Sequence, residues 1–171
     1  MPGLVHEDFL YTIAEVAAAF VGFSMIVGLL SSDPSDRHRF YSIRDVAEVG
    51  LTSLGAALLP TAIHAFGLGP ETTWRLASTL FFLGWVTAGF IGIRRSLRAG
   101  AHREAPRFLV TGPIFTVIGN LLLGWNVLLP GPLAPARYVL GLLLLLTFAG
   151  LSFISATFHG RTRGPDDAAE L

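Results

Sequence analysis

Five runs of about twenty apolar residues, parted by short turn-rich connectors, constrain this chain more than any other feature. They lie at 9–30 (FLYTIAEVAAAFVGFSMIVGLL), 45–66 (DVAEVGLTSLGAALLPTAIHAF), 74–93 (WRLASTLFFLGWVTAGFIGI), 108–129 (FLVTGPIFTVIGNLLLGWNVLL) and 137–158 (RYVLGLLLLLTFAGLSFISATF). A bilayer core is about 30 Å thick, which a helix crosses in roughly 20 residues. Barrel strands would alternate in segments of about ten residues, and these runs do neither. Backbone groups in lipid must be satisfied within the segment, so the expected fold class is all-α, a polytopic bundle of five transmembrane helices. The second run is the weakest, because Asp45, Glu48, Pro60 and His64 interrupt it. The connectors SSDPSD (31–36), GLGPE (67–71) and PGPLAP (130–135) carry the residues that stop and start helices.

Composition narrows the function classes. Of the residues, 52% are hydrophobic and 14% charged, with a mean hydropathy of +0.61. Soluble domains carry about 25% charge. Twelve basic residues, all Arg, balance twelve acidic ones, so nothing points to nucleic acid. Without cysteine there is no disulfide, thiolate metal site or Cys nucleophile. No HExxH, GxSxG, Walker or GxGxxG pattern occurs, and no cofactor is implied. The absence of Lys beside abundant Ala, Gly and Arg suggests a GC-rich bacterial genome.

Arginine placement predicts the threading. Arg37, Arg39 and Arg44 fall in one connector, Arg94, Arg95, Arg98, Arg103 and Arg107 in another, and Arg161 and Arg163 in the tail. The opposite side holds only Arg75 and Arg137. The expected topology is N-terminus outside and C-terminus cytoplasmic in a bacterial inner membrane. The Arg94–Arg107 group is expected to meet anionic lipid headgroups, at roughly 1 kcal/mol each. One domain is expected over 1–160, with a disordered cytoplasmic tail at 161–171. The first run lacks a basic flank and contains Glu15, so it reads as a retained helix rather than a signal peptide.

Two short repeats, AEV at 14–16 and 47–49 and LGW at 83–85 and 123–125, sit on oppositely directed helices. Trp85 and Trp125 fall at different depths, which disfavours an inverted repeat. Each helix has a seam of small or polar residues. On the first it is Asp8, Tyr11, Thr12, Glu15, Ala18, Ala19, Gly22 and Ile26, expected to face the bundle interior. On the third it is Gly84, Ala88 and Gly92; on the fourth, Gly112, Thr116, Asn120 and Gly124; on the fifth, Gly141, Phe148, Ser152, Ser155 and His159. These seams either pack helix on helix or line a wet path. The Leu142–Leu146 run is expected to meet lipid.

Ionisable residues inside a membrane are costly and so need a reason. Glu15 reads either as a proton or cation site or as a structural carboxylate. Its expected partners are His64 and Arg75; Glu48, roughly 15 Å away in depth, is excluded. Asp45 and Glu48 suit the start of a helix, with Arg44 one turn before Glu48, yet share a face with Thr52 that could form an inner vestibule. Asn120 is expected to bond across helices. Pro60 removes the donor that would have served the carbonyl of Ala56.

The site candidates are therefore Glu15, Asn120, Glu48 and Thr116. The leading function is a small oligomeric ion or proton channel, or a proton-coupled transporter. Five helices are few for a transporter, so a homo-oligomer is expected. The alternatives are a non-catalytic accessory subunit docking a partner membrane subunit, and an outer-face metal-dependent enzyme built on His6, Glu7, Asp8, Glu15 and His64.

Overall fold

The structure, a computed structural model, describes residues 4, 6–30, 37–98, 106–129 and 131–159; the side chains at 37–45, 92–93, 95–98, 106–113 and 155–159 fall outside that description. Five helices follow one another: α1 (Glu7–Leu30), α2 (Arg37–His64), α3 (Pro70–Arg98), α4 (Pro106–Leu128) and α5 (Ala134–His159). The described residues contain no strand. Among the described residues four helices have stretches long and apolar enough to cross a membrane: Glu7–Leu30, Val46–His64, Pro70–Ile91 and Ala134–Ile154. In α4 the described apolar stretch is Ile114–Leu128. The tail at 161–171 and the connector at 31–36 lie outside the described residues.

The surface supports the same reading. Phe23, Leu29, Leu30, Phe66, Leu121 and Leu128 are strongly exposed, while Ser24, Ser53, Ser78 and Asn126 are fully buried. Water-soluble domains do not bury polar side chains beneath an apolar exterior; a bundle dissolved in lipid does.

Contacts fix the register. Ser78 pairs with Asn126, Trp85 with Gly119 and Gly89 with Thr116, so α3 and α4 are antiparallel. Leu123 against Gly141 and Phe115 beside Phe148 make α4 and α5 antiparallel too. Gly50 of α2 lies against Ala17 and Val21 of α1, close enough that an added Cβ would meet Val21 Cγ2 at 2.8 Å. The α2–α3 turn closes on Gly67, whose φ of 79° favours glycine and whose N–H donates to His64 O at 2.9 Å. The GLGPE signal thus marks a true helix stop.

Helix α5 packs on all four others, whereas among the described residues α1 touches only α2 and α5. That centrality overturns the lipid-facing expectation for Leu142–Leu146. Leu142, Leu145 and Leu146 are buried, and only Leu143 is clearly exposed. A central helix is apolar all round because protein surrounds it. Around α5, Phe81 stacks on Trp85 at 5.4 Å, and Trp74 and Phe81 meet Tyr138 edge-on at 5.6 and 5.5 Å. Aromatic rings thus fill the interior near the α2–α3 and α4–α5 turns.

Candidate functional site

The principal correction concerns α1. Its buried face is Leu10, Ile13, Ala14, Ala17 and Ser24, with Phe20 and Val21 half-covered. Asp8, Tyr11, Thr12, Glu15, Ala18, Ala19, Gly22 and Ile26, expected inside, are all exposed. At 100° per residue, Glu15 stands at the centre of the exposed arc. The reason lies on α2. Gly50 supplies the small position at that interface, so α1 docks with Ala17 and Val21 instead of its own smallest stripe.

Register also revises the depths. Residue 50 is level with about residue 19, so Glu15 is level with about residue 54, near the middle of the Val46–His64 stretch. Glu15 is therefore deeper than the sequence implied. Its offset from Glu48 is six residues, about 9 Å rather than roughly 15 Å. Glu48 is also exposed, and its carbonyl accepts a bond from Thr52 Oγ1 at 2.8 Å. Arg44 and Asp45 lie outside the described side chains.

The expected partners of Glu15 do not reach it. His64 falls about ten residues, or about 15 Å, away along the axis. It donates Nδ1–H to the carbonyl of Leu68 at 3.2 Å, closing the turn after α2. That leaves its buried Nε2, like the buried hydroxyl of Thr61 one turn earlier, without a partner among the described residues. Arg75 is exposed on α3, which does not touch α1 among the described residues. No hydrogen bond or ion pair joins Glu15 to either residue among the described ones.

Asn120 sits near the depth of Glu15. Phe20 lies against Gly150 on α5, and the α4–α5 pairs carry that level to about residue 119. Among the described residues α1 and α4 do not touch, so Glu15 and Asn120 are not brought together within one chain. Among the described residues Asn120 makes no interhelical bond. Its Nδ2 donates to Thr116 O on its own helix at 2.8 Å, and its buried Oδ1 has no partner among the described residues. Thr116 is half-buried, its methyl facing Gly89. The α4 seam does pack on α3 at Thr116 and Gly124, and the α5 seam is covered at Gly141 and Ser152. On α3, Gly84 and Ala88 are exposed instead, because Trp74, Ala77, Ser78, Phe81 and Trp85 form the inward face.

The polar residues the structure does join were missed. Asn126, fully buried, donates Nδ2–H to Ala134 O at 2.9 Å and to Ser78 Oγ at 3.2 Å. Arg137 Nη1 donates to Asn126 Oδ1 at 3.4 Å while its guanidinium lies 5.7 Å from the Trp125 ring centroid. One amide thus ties α3, α4 and α5 together beside the α4–α5 turn. A polar residue in GWNVLL was the available signal. The second omission is Tyr138, whose hydroxyl donates to Ala56 O at 2.6 Å. That is the carbonyl Pro60 leaves without a donor.

The five proposed metal ligands do not assemble. No group of three His, Asp or Glu among the described residues is placed to hold an ion. Of the arginines expected to meet anionic headgroups, Arg94 is exposed, with its guanidinium 4.2 Å from the Phe90 ring centroid. The side chains of Arg95, Arg98 and Arg107 and all of Arg103 lie outside the described residues. No family model, curated protein or solved structure matches this chain.

Proposed function

We propose that this chain is a multi-pass protein of a bacterial inner membrane, N-terminus outside and C-terminus cytoplasmic, that moves protons or a small cation as a homo-oligomer. The arginine distribution supports the location and threading. The observation that carries the activity is Glu15: a carboxylate eight residues past the start of the apolar helix α1, exposed at the centre of its outer arc. Leaving it against hydrocarbon costs roughly 2.5–3.5 kcal/mol or more, so it belongs against water or another chain. The aromatic packing around Tyr138 favours a path along the outside of the bundle, at a junction between chains. Asn120, with its open Oδ1 at similar depth, is a second polar position, with Thr116 beside it. Glu48 lies toward the cytoplasmic end in the proposed threading.

Purified protein in liposomes carrying an internal pH dye tests this reading. Wild type is expected to pass protons under an imposed potential, and Glu15→Gln to lose that flux while keeping its detergent elution volume. Equal flux in both proteins would refute the role of Glu15.

The accessory-subunit reading keeps one specific support: the same exposed face suits a partner helix. It predicts no flux from the pure chain and a second membrane protein retained through mild purification.

A further inference from the structure

Arg137 is a positive charge held in place with no negative charge to meet it among the described residues. It belongs to the first turn of α5 and is half-buried beside the α4–α5 turn. Two contacts fix its guanidinium. Nη1 donates to Oδ1 of the fully buried Asn126 at 3.4 Å, and the group lies 5.7 Å from the Trp125 ring centroid. An amide oxygen and an aromatic ring together orient the planar fork. The other guanidinium N–H groups have no acceptor among the described residues. Arg75, near the same end of the bundle, is exposed and has no such anchors among the described residues.

The surrounding helices supply no counter-charge. No Asp or Glu occurs between Glu104 and Asp166, so α4, α5 and their turn contain none. On α3 the residue joined to Asn126 is Ser78, and Glu71 lies seven residues, about 10 Å, further toward the helix start. Helix α1, which carries Glu7 and Asp8, meets α5 at Gly150, about 140° around that helix from Arg137. Glu48 of α2 lies toward the other end of the bundle. The positive end of the α5 dipole adds to the charge of Arg137 rather than offsetting it.

The surface beside the guanidinium is apolar. Trp125, Leu129 and Leu133 are exposed near its level. Ile118, two turns before Trp125, and Leu140, one turn after Arg137, extend that exposed surface along α4 and α5. A ligand that satisfies both parts carries a negative head and an apolar body. The guanidinium fork matches phosphate oxygens, and tryptophan settles at headgroup level in a bilayer. A zwitterionic phospholipid would bring an ammonium group that no carboxylate of α4 or α5 can receive.

We propose that Arg137, oriented by Asn126 and Trp125, binds the phosphate of an anionic phospholipid whose chain lies against Ile118 and Leu140. The site is remote from Glu15 and does not depend on the transport reading.

Trp125 reports on this site, because the other two tryptophans, Trp74 and Trp85, are buried. The full chain is reconstituted in phosphatidylcholine vesicles, and phosphatidylglycerol or phosphatidylcholine brominated near the headgroup is titrated in. Wild type is expected to reach half-maximal quenching at a several-fold lower fraction of the brominated phosphatidylglycerol. Arg137→Gln should make the two lipids equivalent. Arg137→Lys, which keeps the charge without the fork, should narrow the difference, and Arg75→Gln should leave it intact.

Equal quenching by the two lipids in wild type would overturn the proposal without recourse to any variant. A preference that survives Arg137→Gln would do so too. A preference lost in Arg75→Gln would assign it to the general charge of that end and likewise overturn the site. Relief of quenching by excess inorganic phosphate, with ionic strength held constant by chloride, would make the ligand a free anion rather than a lipid.

Discussion

Replacing Tyr138 with phenylalanine isolates a single interhelical bond at the centre of the fold. The ring stays, and with it the edge-on contacts to Trp74 and Phe81. Only the hydroxyl that donates to Ala56 O is lost. Ala56 O cannot fall back on its own helix, because the residue four positions on is Pro60, which has no N–H. A buried carbonyl left without a donor costs about 1–3 kcal/mol. That corresponds to a roughly 5- to 150-fold drop in the folding equilibrium constant. SDS titration in mixed micelles, followed by the fluorescence of Trp74 and Trp85, reads this change. Pro60→Ala supplies the missing control. Its new N–H can serve Ala56 O, so Tyr138→Phe in that background should cost at least 1 kcal/mol less than in wild type. Equal costs in both backgrounds, or a cost under about 0.5 kcal/mol in wild type, would refute the assignment of Tyr138 as the donor that replaces Pro60.

Two further changes probe the packing. Asn126→Leu leaves Ala134 O, Ser78 and Arg137 without their shared amide, and a loss of about 1–3 kcal/mol in the same titration is expected; Asn120→Leu, which breaks no interhelical bond, should cost less. A methyl at Gly119 would overlap the Trp85 indole at Cη2 and Cζ3, so Gly119→Ala should destabilise by about 1–3 kcal/mol, while Gly84→Ala, in open space on α3, should be neutral or slightly stabilising in a thermal melt.

The fold was readable because hydrophobic length and turn chemistry are local properties. GLGPE ends α2 where the sequence placed the stop, and the other helix limits differ mainly by extension beyond the apolar runs, at Arg37, Pro70 and Arg98. Which side of each helix faces inward is a pairwise property, and there the pattern misled. A small-residue stripe marks where a helix can be approached, without saying which neighbour approaches it. On α1 the position that mattered was Gly50 of the next helix. On α5 the Leu142–Leu146 run reads alike in lipid and in the middle of a bundle, and only the neighbours decide. Pro60 was identified as freeing a carbonyl, but its donor is 82 residues further on, beyond the reach of local spacing. Glu15 was singled out for its chemistry, yet its depth and side depended on the contact of Gly50 with Ala17 and Val21.

The environment of Glu15's face in a bilayer is the most direct measurement. Spin labels on single cysteines at Glu15, Ala19, Gly22 and Ile26, and at the flanking Val16, Phe23 and Met25, report collision with oxygen dissolved in lipid. If the face is covered by protein or water, oxygen accessibility falls at 15, 19, 22 and 26 and peaks at 16, 23 and 25, although all seven side chains are exposed on the single chain. Maximal oxygen accessibility at 15, 19 and 22 would place the carboxylate against lipid and contradict its role as a covered working site.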